Sequence, residues 1–168
     1  DWMNGEYIRK MPIGELTQLC VPFLPAQKIS PSSKGKGQRE WSNTWLQKII
    51  ALEQPRLKKL SEIGENTTFF FEDRLQYDKD LLQWKDMARE EIKEILGKLE
   101  ALLESIAESD YSKEKLEKII MPKSEEWGKI GDTIDRGRTL WPMRVALTGR
   151  KASPSPFEVA EILGKKKS

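Results

Sequence analysis

Apolar and polar positions alternate with the period of an α-helix along most of this 168-residue chain. In the second half, apolar residues recur every three or four positions from Ile92 to Ile106, which is the stripe of an amphipathic helix. We expect that helix to begin before Met87. Ser112 follows as a typical N-cap residue, which predicts a further helix over Lys113–Ile120.

A second stripe lies in the first half of the chain. Its apolar members are Trp41, Trp45, Leu46, Ile49, Ile50 and Leu52. A linker rich in glycine, serine and lysine precedes it at residues 30–37. Pro55 suits the first turn of a following helix, so we expect a break between Glu53 and Arg56, with Arg56 close to a helix N-terminus. In no segment do apolar and polar residues alternate convincingly with the two-residue period of a strand, so the predicted fold is all-α.

The helical stripes fall into two groups. The boundary is expected near Tyr77 and Asp78, where the sequence QYDKDLLQW opens the second group. A chain of this length is sufficient for two small domains, each with a core. The sequence therefore predicts two consecutive helical bundles, over residues 1–77, which include the 30–37 linker, and over residues 78–168.

Composition is that of a folded, helix-rich protein, with 38% hydrophobic and 33% charged residues. The net charge is only +2, so binding to a nucleic acid requires a local basic patch. The lone cysteine, Cys20, lies among apolar residues and is expected to be a small buried side chain. No apolar run approaches the ~18 residues that span a membrane, and no secretory signal is present. We therefore expect a cytoplasmic protein with no membrane partner.

The absence of histidine excludes the most common general base and the most common metal ligand. With one cysteine and no histidine, a structural zinc site is excluded as well. The acidic residues lie mostly beside lysines at helical spacing, which is typical of a solvated helix face. No phosphate-binding glycine loop of the Walker type is present. We therefore expect no catalytic residue and no bound metal.

Five positive charges lie within sixteen positions near the end of the chain: Arg136, Arg138, Arg144, Arg150 and Lys151. Trp141 lies between these charges, and Ser153 and Phe157 follow them. Proteins that recognise single-stranded RNA use cations to bind phosphates, planar groups to stack on bases and hydroxyls to bind base edges. Prolines 154 and 156 stiffen this segment, which lowers the entropy cost of binding a flexible ligand. The alternative is a basic surface loop with Trp141 buried in the core.

Three motifs resemble one family. The string MRVALTGRKASPSPFEVAEILGK resembles the C-terminal anticodon-binding region of bacterial glutamyl-tRNA synthetases. At the other end, DWMNGEYIRKM is similar to a segment that follows the catalytic part of those enzymes, and PRLKKLSEI followed by FFFED resembles their first anticodon-binding helices. The motifs occur in the family's order and extend over essentially the whole chain.

The resemblance implies a parent enzyme, a class I synthetase, that uses ATP and Mg²⁺ to attach glutamate to tRNA(Glu). This chain carries neither the HIGH-like nor the KMSKS-like motif of such enzymes. We therefore expect it to begin after the active site, to hold no cofactor and to be inactive as a ligase by itself. Its expected partner is tRNA(Glu), not DNA, and it is expected to be a monomer. The competing interpretation is an all-helical scaffold or adaptor that binds another protein.

The resemblance also implies roles for individual residues. Arg144 and the segment around Ser153 approach the first two anticodon bases, while Pro154 and Pro156 set the shape of that segment. Arg56 inspects the third anticodon base, and an arginine there marks enzymes restricted to tRNA(Glu) rather than also charging tRNA(Gln). Gln54 is the alternative occupant of that reading position. The proposed phosphate contacts are Arg136, Arg138, Arg150 and Lys151.

Overall fold

The structure, a computed structural model, describes residues 2–25 and 42–168. The predicted linker 30–37 and Trp41 lie outside these ranges. The chain forms two compact units, Asp1–Glu72 and Asp73–Ser168, called here the first and second units. The division falls between Glu72 and Asp73, a few residues before the predicted position near Tyr77.

Helices account for the regular structure described in the first unit. They are α1 (Trp2–Lys10), α2 (Ile13–Cys20), a 3-10 turn (Val21–Phe23), α3 (Asn43–Glu53) and α4 (Glu62–Phe71). The Ser42 hydroxyl accepts a hydrogen bond from the backbone N–H of Trp45 at 3.2 Å, and so caps α3. The Trp45 ring makes T-shaped contacts with the buried rings of Phe70 and Phe71.

The unpaired cysteine belongs to this core. Cys20 is fully buried, and the resulting desolvation raises the pKa of its thiol to about 11. A thiol with this pKa stays protonated at neutral pH and is a poor nucleophile. The predicted role of Cys20 as a small buried side chain is confirmed.

The predicted break after α3 is confirmed, but the prediction of a helix beginning at Pro55 is wrong. Residues 54–61 form the α3–α4 loop, and α4 begins only at Glu62. The backbone N–H groups of Arg56 and Leu57 both donate to Glu53 O, at 2.8 and 3.2 Å, which tightens the end of α3. Lys58 and Lys59 then donate their N–H groups to the Glu62 carboxylate instead of to a preceding turn. The N–H groups of Arg56, Leu57, Lys58 and Lys59 thus find acceptors without a helix.

The second unit is also built from helices. In chain order it comprises a 3-10 turn (Lys79–Leu82), α5 (Arg89–Ser105), a 3-10 turn (Glu108–Asp110), α6 (Lys113–Trp127), β1 (Lys129–Ile130), β2 (Thr133–Ile134), α7 (Gly137–Thr148) and α8 (Pro156–Leu163). Strands β1 and β2 are antiparallel, with Lys129 opposite Ile134 and Ile130 opposite Thr133. Because each strand has only two residues, the predicted all-α class is confirmed.

Two predicted helix boundaries need comment. Helix α5 begins at Arg89, so the expected start before Met87 is wrong. Lys85 has a φ of 51°, in the left-handed region, which interrupts any helix at that position. Ser112 does occupy the N-cap position of α6, although its side chain makes no capping hydrogen bond. Helix α6 then continues past Ile120, through Pro122, to Trp127.

Helix α7 is central to the second unit, since it packs against α5, α6, α8 and the 3-10 turn Lys79–Leu82. Its residues Met143 and Val145 are buried in the core. The helix ends at Gly149, whose φ of 68° suits glycine as a C-terminal cap. No helix in the described ranges is long and apolar enough to cross a membrane.

Asp135 fixes the start of α7. Its carboxylate accepts hydrogen bonds from Trp84 Nε1 at 3.1 and 3.2 Å, from Lys85 Nζ at 2.6 Å and from the Gly137 N–H at 3.0 Å. The hydrogen bond from Lys85 is the main cause that lowers the pKa of Asp135. The ionised carboxylate therefore adds stability above the ordinary aspartate pKa, and this contribution is lost as the pH falls through the lowered pKa. Trp84 lies so close that a Cβ atom on Gly137 would be 2.4 Å from its ring.

We predict that Gly137→Ala lowers the free energy of unfolding by about 1–3 kcal/mol, because the added methyl overlaps the Trp84 ring. The matched control is Gly97→Ala in α5, where an added Cβ meets no atom within 4 Å. That change should raise the free energy of unfolding by about 0.5–1 kcal/mol, because alanine favours a helix interior. Urea unfolding followed by circular dichroism measures both. Equal effects of the two changes would contradict the close packing at Gly137.

Candidate nucleic-acid interface

Arg144 joins the end of α7 to the loop that follows it. Its Nη1 atom donates to Ser153 O at 2.6 Å, to Ser153 Oγ at 2.8 Å and to Pro154 O at 3.0 Å. The helix places Arg144 one turn before Gly149, where the chain leaves α7. The structure thus brings together Arg144, Ser153 and Pro154, which sequence reasoning had assigned to the same site.

Residues 149–155 form the α7–α8 loop, and its two ends are fixed by local contacts. Thr148 Oγ1 donates to Arg144 O at 2.7 Å and accepts from the Arg150 N–H at 3.1 Å. At the other end, Pro156 is the first residue of α8, a position that tolerates proline because its N–H is not needed there. Pro154 and Pro156 are both buried, so the loop's prolines act through packing as well as through their fixed φ.

The remaining cations lie at opposite ends of α7. Arg150 and Lys151 follow Arg144 in the α7–α8 loop, and Lys151 is exposed. Arg136 and Arg138 lie at the start of the helix, and at 1.5 Å per residue Arg138 is about 15 Å along the axis from Thr148, the last residue before the loop. The five charges that are close in sequence therefore do not form one cluster.

Arg136 and Arg138 both contact carboxylates. Arg136 pairs with Glu125 at the surface. The Arg138 side chain is only 9% exposed, and its guanidinium bridges Asp86, at 3.2 Å, and Glu91. The hydrogen bond to Glu91 is the main cause that raises the pKa of Arg138 above its ordinary value. Their assignment as phosphate contacts stays a prediction, and the structure gives Arg138 a role in joining α7 to the segment around α5.

Trp141 packs within the second unit. Its Nε1 donates to Leu81 O at 2.9 Å, and its ring centroid is 5.3 Å from that of Trp84. Phe157 is buried. Both rings therefore contribute to the packing of the second unit. Trp141 itself is half-buried, whereas the alternative interpretation placed it in the core.

In the first unit, Arg56 follows the C-terminus of α3 and does not begin a helix, so its expected position at a helix N-terminus is wrong. Its side chain is 40% exposed, and Nη1 lies 3.8 Å from Glu53 Oε1. Gln54, the alternative reading residue, is oriented differently. Its Nε2 donates to Ile8 O at 2.8 Å and to Met11 O at 2.9 Å, so both amide hydrogens are used to hold the turn between α1 and α2.

Sequence reasoning missed two carboxylates that organise these elements. Asp135 holds the start of α7, and Glu62 accepts the backbone N–H groups of Lys58 at 2.9 Å and Lys59 at 3.2 Å. The hydrogen bond from Lys58 is the main cause that lowers the pKa of Glu62. A signal was present for Glu62, since an acidic residue in the first turn of a helix often accepts nearby N–H groups. Nothing local to Asp135 indicated its contact with Trp84, which is distant in sequence.

Comparison with protein families identifies the class of domain to which this chain belongs. A family model described as "Anticodon binding domain" matches residues 15–168, which is most of the chain. The chain belongs to this family of anticodon-binding domains. The match spans parts of both units and includes Arg56, Arg144 and the α7–α8 loop.

Curated relatives narrow the similarity to one group of enzymes. The chain is 32% identical over 165 residues to a glutamate–tRNA ligase of Elusimicrobium minutum, covering 98% of the chain and 30% of that relative. It is 32% identical over 169 residues to the glutamate–tRNA ligase of Clostridium kluyveri, covering 99% of the chain and 31% of that relative. The chain thus spans about 30% of the length of these relatives. The resemblance inferred from the three motifs is confirmed.

Solved structures agree on the fold. A crystal structure of a glutamate tRNA ligase from Elizabethkingia meningosepticum matches with a TM-score of 0.75 at 21% identity, covering 99% of this chain and 29% of that one. This likeness shows that the helical fold described above also occurs within a longer ligase.

We predict that Arg138→Ala lowers the free energy of unfolding by about 1–2 kcal/mol, since it removes charge-assisted hydrogen bonds whose carboxylate partners are partly solvated. Lys151→Ala is the control, because this exposed lysine pairs with no carboxylate in the described ranges, and it should change stability by less than about 0.5 kcal/mol. Urea unfolding at neutral pH compares them. An Arg138→Ala protein as stable as the wild type would rule out the joining role.

Proposed function

We propose that this chain is the tRNA-recognition module of a glutamate–tRNA ligase and binds the anticodon loop of tRNA(Glu). The observation that carries the proposal is the contact of Arg144 with Ser153 and Pro154, within a chain of the anticodon-binding family. The parent enzyme attaches glutamate to tRNA with ATP and Mg²⁺. The chain itself has no aminoacylation activity and contributes binding energy from a part of the substrate remote from the reaction.

The α7–α8 loop is suited to this task because its shape is set before RNA arrives. Two prolines and the bonds from Arg144 restrict the backbone, so less conformational entropy is lost on binding. Unstacked bases of a single-stranded loop can then be read on their edges by main-chain groups and by the guanidinium. In this proposal Arg144 has two roles, holding the loop and facing the first two anticodon bases.

Arg56 reads the third anticodon base in this proposal. Glutamate anticodons end in cytosine, whose O2 and N3 are adjacent acceptors that a guanidinium can meet with paired donors. Glutamine anticodons end in guanine, which presents N–H donors on the same edge, so donor would face donor. Such a mismatch discriminates strongly because it leaves polar groups unpaired. Two observations favour Arg56 as the residue that contacts the third base. Arg56 is exposed, and both amide hydrogens of Gln54 are already donated to the carbonyl groups of Ile8 and Met11.

We predict that the chain binds a tRNA(Glu) anticodon stem-loop and that Arg144→Ala weakens this binding by about 1–3 kcal/mol. Arg144→Lys retains the charge but not the planar fork, and should lose most of the same free energy. Fluorescence anisotropy with a labelled stem-loop measures the affinities. If Arg144→Ala unfolds the second unit, the purely structural interpretation of Arg144 is favoured.

Salt dependence in the same assay separates RNA binding from the scaffold interpretation. Binding through phosphates weakens steeply as salt rises, whereas an apolar protein groove hardly responds. Arg150→Ala and Lys151→Ala should each weaken all stem-loops alike and reduce the salt slope by about 1. An affinity that is independent of salt would contradict RNA recognition through phosphates.

We predict that the wild-type chain binds a tRNA(Glu) transcript more tightly than the same transcript with its third anticodon base changed from cytosine to guanine. Arg56→Gln should remove most of this preference, by about 1–3 kcal/mol, because the paired donors are lost. Gln54→Ala is the comparison: it should lower the stability of the first unit, but it removes no donor that meets the base, so it should reduce the preference less than Arg56→Gln does. Equal wild-type affinity for the two transcripts would contradict the assignment of Arg56.

A further inference from the structure

The α3–α4 loop (residues 54–61) is attached to the first unit by side chains on both sides of Arg56. Before it, Gln54 donates to the carbonyl groups of Ile8 and Met11. After it, Leu57 is fully buried, which contributes about 1.5–3 kcal/mol of hydrophobic stabilisation. These two anchors determine where the loop starts and where it enters the core.

The remaining part of the loop depends on Glu62. One oxygen of its carboxylate, Oε2, accepts the backbone N–H groups of both Lys58, at 2.9 Å, and Lys59, at 3.2 Å. Ser61, at the N-cap position of α4, makes no capping hydrogen bond with its side chain. The Glu62 carboxylate therefore ties the start of α4 to the residues that follow Leu57, in addition to the backbone bonds from the Glu62 N–H to Lys59 O and from the Ile63 N–H to Leu60 O, both at 3.2 Å.

The side-chain contacts of Arg56 do little to fix the orientation of its guanidinium group. The 3.8 Å separation between Arg56 Nη1 and Glu53 Oε1 is longer than a hydrogen bond. Its backbone N–H donates to Glu53 O at 2.8 Å, so its main chain is better defined than its guanidinium. The direction in which the side chain leaves the protein thus depends on the path of the loop.

We propose that Glu62 is a positioning residue for Arg56: it holds the α3–α4 loop so that the guanidinium meets the third anticodon base. This inference rests on the function proposed above. The two hydrogen bonds lie at the surface, where water can replace a lost acceptor, so their removal should cost little global stability. What is lost is the restriction of the loop, and accurate placement is what a base-reading side chain requires.

The test measures affinity for the two tRNA transcripts that differ only in the third anticodon base. Glu62→Ala should reduce the wild-type preference for cytosine between about twofold and tenfold, the range expected for one exposed hydrogen-bonded contact. Glu62→Gln retains a neutral acceptor oxygen and should fall between the wild type and Glu62→Ala. Glu65→Ala, an exposed glutamate on the same helix, is the matched control and should retain the full preference.

A second measurement reports on the loop directly. Amide hydrogen exchange at Lys58 and Lys59 should become faster in Glu62→Ala, while the unfolding midpoint stays close to that of the wild type. The inference is overturned if Glu62→Ala retains the wild-type preference, or if it weakens both transcripts equally. Those outcomes differ from failure of the proposed function, in which the wild type itself shows no preference and Arg56→Gln changes nothing.

Discussion

The ionised carboxylate of Asp135 is the contact on which the second unit most depends. It collects donors from Trp84, Lys85 and Gly137 at the start of α7, the helix that packs against α5, α6 and α8. Because the Trp84 ring occupies the space beside Gly137, any larger residue there would force the ring or the helix to shift. This polar contact thus fixes the first turn of the helix that carries Arg144 in its C-terminal half.

The two units follow the same design. In each, a buried framework of helices supports a short loop. An acidic or basic side chain holds that loop, because it accepts hydrogen bonds from main-chain N–H groups or donates them to main-chain carbonyl groups. Arg144 does this with the carbonyl groups of Ser153 and Pro154, and Glu62 does it with the N–H groups of Lys58 and Lys59. Loops held in this way can present side chains to a flexible ligand at a low cost in conformational entropy.

Much of the fold was accessible to sequence reasoning. Helix type, the break after Glu53 and the N-cap at Ser112 are local properties, governed by side-chain periodicity and by the conformational preferences of proline and serine. The site was predicted less completely. The resemblance placed Arg144 and Ser153 in one site, and the structure shows that they are in contact. Arg138, in contrast, was grouped with the RNA contacts although it bridges Asp86 and Glu91. Charge along a sequence does not reveal which cations already have carboxylate partners.

The sequence by itself determined the all-α class, the buried state of Cys20 and, through three ordered motifs, membership in an anticodon-binding family. Each depends on local spacing or on residue identity. Tertiary structure alone decided that Gln54 faces the carbonyl groups of Ile8 and Met11, that Arg56 leaves the protein from a loop, and that Asp135 meets Trp84. The contacts of Gln54 and Asp135 join residues far apart in the chain, and a hydrogen bond forms only where packing brings donor and acceptor within about 3 Å.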